Sequence, residues 1–300
     1  MFPRKEFSIK KIISMCCLAS ALLFCSLLFS GCAAYEAVAN YFRSTDHFLT
    51  FEGRPEVRYE PGARAFAAAV AAALPGAVEK VETRQFSAFP GRVCVFVCYS
   101  RESFKQMTGR DVAGMAYRNR VFLSPKVLES PRTLDAYLAH ELSHLHLYQH
   151  VGGYGYIGIP SWFAEGLAVA VSDGGGAERV SPDEARRSLV SGNHFLPVET
   201  AGIKDLVVPK YASYWDIRHR FKHHMFYRQC MMFVSFLEQE TPGLFKRFLT
   251  DLETGTEFSR AFRSAFGTTA MAKWDEFLAR IRMNDTRVVA GKRNPAEAAP

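Results

Sequence analysis

TLDAYLAHELSHLHLYQH, residues 133–150, decides how the rest of the 300-residue chain is read. Leu134, Leu138, Leu142, Leu145 and Tyr148 recur at threes and fours, the repeat of a helix with one apolar stripe. Inside that helix stands His140-Glu141-Leu142-Ser143-His144, an H-E-x-x-H pattern. Side chains four apart share a helical face with Cβ atoms about 5–6 Å apart. Two imidazole nitrogens can therefore converge on one cation such as Zn²⁺ at about 2.0–2.1 Å. Glu141 lies beside that face, placed to take a proton from water activated by the metal and to return it to a leaving group.

A catalytic zinc needs a third protein ligand and an open fourth position. Two candidates follow the motif. His150 continues an H-E-x-x-H-x-x-x-x-x-H spacing, but six residues along an unbroken helix place it about 240° round from His144. Leu147 also stands where a backbone turn would call for Gly. The other candidate is Glu165, in Pro160-Ser161-Trp162-Phe163-Ala164-Glu165-Gly166-Leu167-Ala168, on a second predicted helix from Ser161 to about Val171. The apolar neighbours Trp162, Phe163, Leu167 and Val169 do not suit a solvated charge. Between the helices lies a Gly-rich stretch, GGYGYIGIP, read as a loop and a possible lip over a cleft.

With both motifs in view, the chain resembles the gluzincin metallopeptidases, the thermolysin-like, peptidase MA type, over about residues 62–283. Only the two helix motifs are specific to that resemblance. It implies a zinc-dependent peptidase of zincin-like fold, with Zn²⁺ held by His140, His144 and Glu165 and with Glu141 as general base. It further implies a peptide or protein substrate lying along an edge strand, matched here to Met115–Leu123. A tyrosine beyond the Glu would donate to the oxyanion. Tyr227 is the match, with Tyr211 and Tyr214 as competitors. Asp173 and Asp135 are the carboxylates available to orient the histidines.

Working outward, residues 62–74 read as an Ala-rich helix stopped by Pro75-Gly76. Val81–Phe89 and Arg92–Tyr99 read as strands, the second as an interior one, and Ser103–Thr108 as a short helix. Ser181-Pro182-Asp183-Glu184 opens a further helix. More helices are expected at about Met225–Gln239, Gly243–Leu252, Glu257–Phe266 and Ala272–Met283. Strands early and helices late imply an α+β class, a small N-terminal mixed sheet and active-site helix followed by a mainly helical C-terminal part.

The N-terminus begins with basic MFPRKEFSIKK and continues with the uncharged Ile12–Ser30, the layout of a secretory signal. Leu28-Phe29-Ser30-Gly31-Cys32 resembles a bacterial lipobox, which implies lipidation at Cys32. The expected organisation is signal peptide 1–31, tether and lead-in 32–61, catalytic domain 62–284 and flexible tail 285–300. The protein would then sit in the bacterial cell envelope, outside the cytoplasm, held to a membrane by lipid. An uncleaved anchor is the alternative.

Removing residues 1–31 takes away four basic residues and one acidic, leaving 33 and 29. A balance this modest, behind an export signal, argues against a nucleic-acid partner. The basic run Arg218–His224 reads as a solvated loop. Cys94, Cys98 and Cys230 read as buried small residues rather than a disulfide framework. The competing functional class is a non-catalytic envelope lipoprotein of the same fold that binds peptide or a protein partner.

Overall fold

Val95, Phe96 and Val97 are three consecutive apolar residues, all buried, and such a run belongs inside a sheet covered on both faces. In the computed structural model, which describes residues 43–117, 119–129, 134–199 and 223–293, that is where they lie. The proposed signal segment, Cys32, Tyr211, Tyr214 and the basic run as far as Lys222 lie outside the described residues.

The sheet has five strands: β1 (Leu49–Phe51), β2 (Arg54–Tyr59), β3 (Val95–Val97), β4 (Gly114–Ala116) and β5 (Val121–Leu123). Their order is β1-β2-β3-β5-β4, with β2, β3 and β5 parallel and both outer strands antiparallel to their neighbours. The mixed sheet therefore begins within residues 32–61, earlier than the expected tether allows.

Helices cover the sheet and then dominate the chain: α1 (Arg64–Gln85), α2 (Arg101–Thr108), α3 (Leu134–Ile157), α4 (Ser161–Val171), α5 (Pro182–Val190), α6 (His223–Glu240), α7 (Pro242–Glu253), α8 (Phe258–Phe266) and α9 (Ala270–Arg293). The class is α+β, as expected. The later helices fall within a few residues of their predicted bounds, except that α9 runs on into the segment expected to be a tail.

Three expectations are corrected. The helix expected to stop at Pro75-Gly76 runs through both, to Gln85. An interior proline costs about 3 kcal/mol. Here Ala67, Val70, Ala71, Leu74, Ala77 and Val81 form one buried stripe that continues across the break, while Pro75 and Gly76 face outward. The strand expected at Val81–Phe89 is consequently the last turn of α1 and a loop. Val81 and Gln85, four apart, both point inward, and the Gln85 amide donates to Ser143 Oγ on α3. Lastly, Met115–Leu123 is not one strand but a hairpin. Tyr117 and Arg120 exchange both backbone hydrogen bonds, and Asn119 takes the left-handed conformation that the tight turn needs (φ 60°).

The core beyond the sheet is aromatic. Trp162 on α4 packs against Phe163, Phe195, Phe233 and Phe258, and its indole N–H donates to the Val198 carbonyl at 2.9 Å. Between α4 and α6 the packing is the most extensive of any pair of elements, because Gly166 lets the helices close up. A Cβ there would sit 2.7 Å from the Cys230 carbonyl oxygen and 2.8 Å from Val234 Cγ2. The nearest obstacle is backbone, which cannot swing aside. Gly166→Ala is therefore expected to destabilise the protein by about 1–3 kcal/mol, read as a lower urea midpoint at unchanged slope.

Candidate metal centre

Residues 138–147 of α3 are buried on every side, so each polar group among them needs a partner. His140 and His144 turn toward α4, where Glu165 meets them. His140 Nε2 and His144 Nε2 are 3.3 Å apart. Glu165 Oε2 lies 3.5 Å from the first and 3.4 Å from the second. A tetrahedral centre with ligands at about 2.0–2.1 Å has ligand–ligand edges of about 3.3–3.4 Å. The three atoms therefore already form one face of such a tetrahedron. The donor set, two imidazoles and a carboxylate, suits a borderline divalent transition metal. These residues can hold a metal ion, and a tetrahedral ion on three protein ligands has one further position to fill.

The third ligand-type side chain brought to the two histidines is thus Glu165 and not His150, which lies on the far side of α3 against the Ala88 carbonyl. Residues of the Pro160–Ala168 stretch position it. The Pro160 carbonyl accepts from the amides of Phe163 and Ala164 and starts α4, Trp162 and Phe163 anchor the helix in the aromatic core, and Gly166 sets its distance from α6.

Each histidine is oriented through its other nitrogen. For Nε2 to offer a lone pair, Nδ1 must carry the proton. His140 Nδ1–H donates to the Gly175 carbonyl at 2.9 Å. His144 Nδ1 is 3.1 Å from the Tyr156 hydroxyl. Neither partner is a carboxylate. Asp135 is exposed, and Asp173 pairs with Lys80. Tyr156 reaches back because the stretch expected to be a loop is helical on both sides of a break at Gly152 (φ 70°, ψ 170°). The loop that carries Gly175 is tied to α6. His224 Nδ1 donates to the Gly176 carbonyl, and the Arg228 guanidinium donates to the carbonyls of Ala177 and Val180. His224, expected to belong to a solvated loop, is instead one of these ties.

Glu141 is not a member of the triangle. Its Oε2 accepts from the Ala116 backbone N–H at 2.7 Å, on the edge strand β4. Gly114 permits that approach, since a Cβ there would meet Glu141 Cγ at 2.9 Å. Tyr227, at the start of α6, is buried beside His140 with ring centroids 5.9 Å apart. His146, expected to be a flank residue, is buried against Phe89, and burial pushes its imidazole down to about 4.

Burial also disfavours a charge on His140, but the carboxylates of Glu165 and Glu141 more than reverse this, and the Gly175 carbonyl adds to them. Without a cation the site therefore holds a proton on His140 more tightly than a free imidazole does, and metal uptake must displace it. Tyr156 and Gly175 were missed in the sequence. The Gly174–Gly176 run is a local signal of close backbone approach, whereas nothing local marks Tyr156.

No family model matches the chain, and no characterised protein matches it at a significant level of sequence similarity.

Tyr156→Phe removes the hydroxyl that orients His144 and is expected to weaken zinc affinity about 10-fold or more, measured by competition with a chromogenic chelator. Because a proton on His140 competes with the ion, affinity should fall as pH is lowered, beginning above the usual imidazole range. A pH-independent affinity would contradict that linkage.

Proposed function

We propose that the chain is a zinc-dependent peptidase of gluzincin type, exported and held at a membrane of the bacterial envelope by lipid on Cys32. The observation that carries the reading is the buried triangle of His140, His144 and Glu165, with edges of 3.3–3.5 Å. Two imidazoles and a carboxylate converging this closely, with three protein ligands rather than four, suit catalytic zinc rather than a closed structural site, which would use four Cys or His ligands. Zinc, when bound, would polarise a substrate carbonyl and bring the pKa of water at the open position toward neutrality.

The chain's own residues supply the rest. Glu141 takes the proton of the attacking water and passes it to the departing amine. Its carboxylate is held for that work by the Ala116 N–H, a bond that fixes its orientation. Substrate would align on β4. Ala113 and Tyr117 bond to Ser124 and Arg120 across the hairpin, so by strand alternation Gly114 and Ala116 turn their backbone groups to the free edge. With the Ala116 N–H committed to Glu141, the carbonyls of Gly114 and Ala116 and the Gly114 N–H are what an extended peptide would pair with. The base and the strand that holds the substrate are thereby locked to each other within one hydrogen bond. Tyr227, beside His140, is the phenol assigned to steady the oxyanion.

Zinc-loaded protein is expected to cleave an unstructured substrate such as casein, to lose activity to chelator and to regain it with Zn²⁺. Glu141→Gln keeps an acceptor for the Ala116 N–H, so fold and zinc content should persist while hydrolysis drops by about 10²–10⁴-fold. Wild-type protein that carries zinc yet leaves such substrates intact would instead favour the non-catalytic, peptide-binding reading.

A further inference from the structure

A second cluster of ligand-type side chains lies on the opposite side of α3. His146 and His150 are again four apart on one helical face, and His146 is two residues beyond His144, about 200° round the helix from it. Their rings are 4.6 Å apart. Glu253, the last residue of α7, closes the group, with Oε2 3.9 Å from His150 Nδ1. One nitrogen from each ring and one Glu253 oxygen lie within 4.8 Å of one another.

The hydrogen bonds around the group determine which lone pairs are left over. His146 Nε2 is 3.0 Å from the Ser87 carbonyl oxygen, and His150 Nε2 is 3.1 Å from that of Ala88. A carbonyl only accepts, so each Nε2 carries the hydrogen and each Nδ1 keeps its lone pair. His146 is fully buried, and its Nδ1 has no hydrogen-bond partner among the described residues. The Ser87 hydroxyl donates to Glu253 Oε1 at 2.8 Å, which leaves Oε2 toward His150. A nucleophilic serine assisted by histidine is excluded by the same bonds, because neither Nε2 near Ser87 Oγ has a lone pair to take its proton.

We propose that His146, His150 and Glu253 form a second site for a divalent transition metal, independent of the first. Two imidazoles and one carboxylate select Zn²⁺, Co²⁺ or Ni²⁺ over Mg²⁺ or Ca²⁺, which prefer all-oxygen shells. The cation would also relieve a carboxylate placed at the end of a helix where its dipole is negative. One donor atom of each residue lies within 4.8 Å of the others, wider than the roughly 3.3 Å of a filled tetrahedral site, so binding through the two Nδ1 atoms would require the His150 and Glu253 side chains to turn toward His146; both retain some exposure. The result is a staple joining two parts of the chain distant in sequence, α3 and the end of α7, beside the loop after α1 that hydrogen-bonds to all three ligands. It would brace the active helix from behind.

The test is metal stoichiometry on purified, chelator-stripped protein, titrated with Zn²⁺ and then with Co²⁺ and measured by elemental analysis after buffer exchange. Wild type should take up two equivalents. His150→Ala and Glu253→Gln should each retain one and bind the other at least 10-fold more weakly. Glu165→Gln should lose the first ion, keep the second, and still show a higher melting temperature when Zn²⁺ is added; that gain should vanish when Glu253→Gln is combined with it. The two glutamine variants preserve hydrogen bonding, so they remain informative if His150→Ala fails to fold. One equivalent lost with Glu165→Gln and untouched by Glu253→Gln would overturn the second site and leave the peptidase reading intact. One equivalent lost with Glu253→Gln and untouched by Glu165→Gln would do the reverse. Two equivalents unaffected by either position-253 or position-150 changes would overturn it as well.

Discussion

A carboxylate and two imidazoles held within 3.5 Å of one another, almost out of reach of water, form the constraint around which the rest of the molecule is arranged. Burying a carboxylate is unfavourable by several kcal/mol unless something positive meets it. Here either a proton on His140 or a cation shared by all three groups must do so. The packing keeps them together. α4 cannot withdraw, because Trp162 and Phe163 root it among aromatic rings and Gly166 lets it lie against the backbone of α6. α3 cannot rotate, because His140 is bonded to the Gly175 loop and Glu141 to the edge of the sheet. A 1 Å opening between the two helices would leave polar groups in the interior without partners.

That arrangement explains why the site was more legible in the sequence than the sheet. His140, Glu141 and His144 are spaced by the helix itself, and Glu165 is flanked by large apolar residues that force its helix inward; both signals are local. The late helices were legible for the same reason, each having an amphipathic repeat of its own. What sequence reading missed depended on partners far along the chain. Pro75 breaks helices in isolation, but a buried stripe from Ala67 to Val81 outweighs one missing hydrogen bond. β1 and β2 lie in a stretch with no strong pattern of its own; β2 takes its place in the sheet by pairing with β3, and β1 by pairing with β2. The hairpin between β4 and β5 hid in a continuous strand-like run because Tyr117 and Arg120 are ordinary strand residues; Asn119 was the one cue to a turn. Tyr156 was read as part of a loop because Gly152 and Gly153 look like a terminator, yet the chain resumes a helix after one residue of non-helical conformation.

The carboxylates of Glu141 and Glu165 show how environment separates two neighbouring groups of one type. Both are buried, and both come from helices at the same centre. Glu165 faces two imidazole nitrogens and is suited to share a cation with them. Glu141 faces a backbone N–H donated by a strand. A single amide is a weaker partner than a shared cation. The different parts proposed for the two carboxylates therefore rest on what stands opposite each group.

α3 is best understood as a helix with polar residues on two opposed faces rather than one. Its length from Leu138 to Leu147 is enclosed, so it has no solvent side on which to place a charge cheaply. His140 and His144 are held by elements on one flank, and His146 and His150 by Ser87, Ala88 and Glu253 on the other. A helix gripped from one side only could tilt as its partner shifts. Gripped from both, with the two pairs of histidines about half a turn out of phase, it is confined in rotation as well as in position. The closely spaced donor atoms on α3 and α4 then keep their geometry without relying on an ion to impose it.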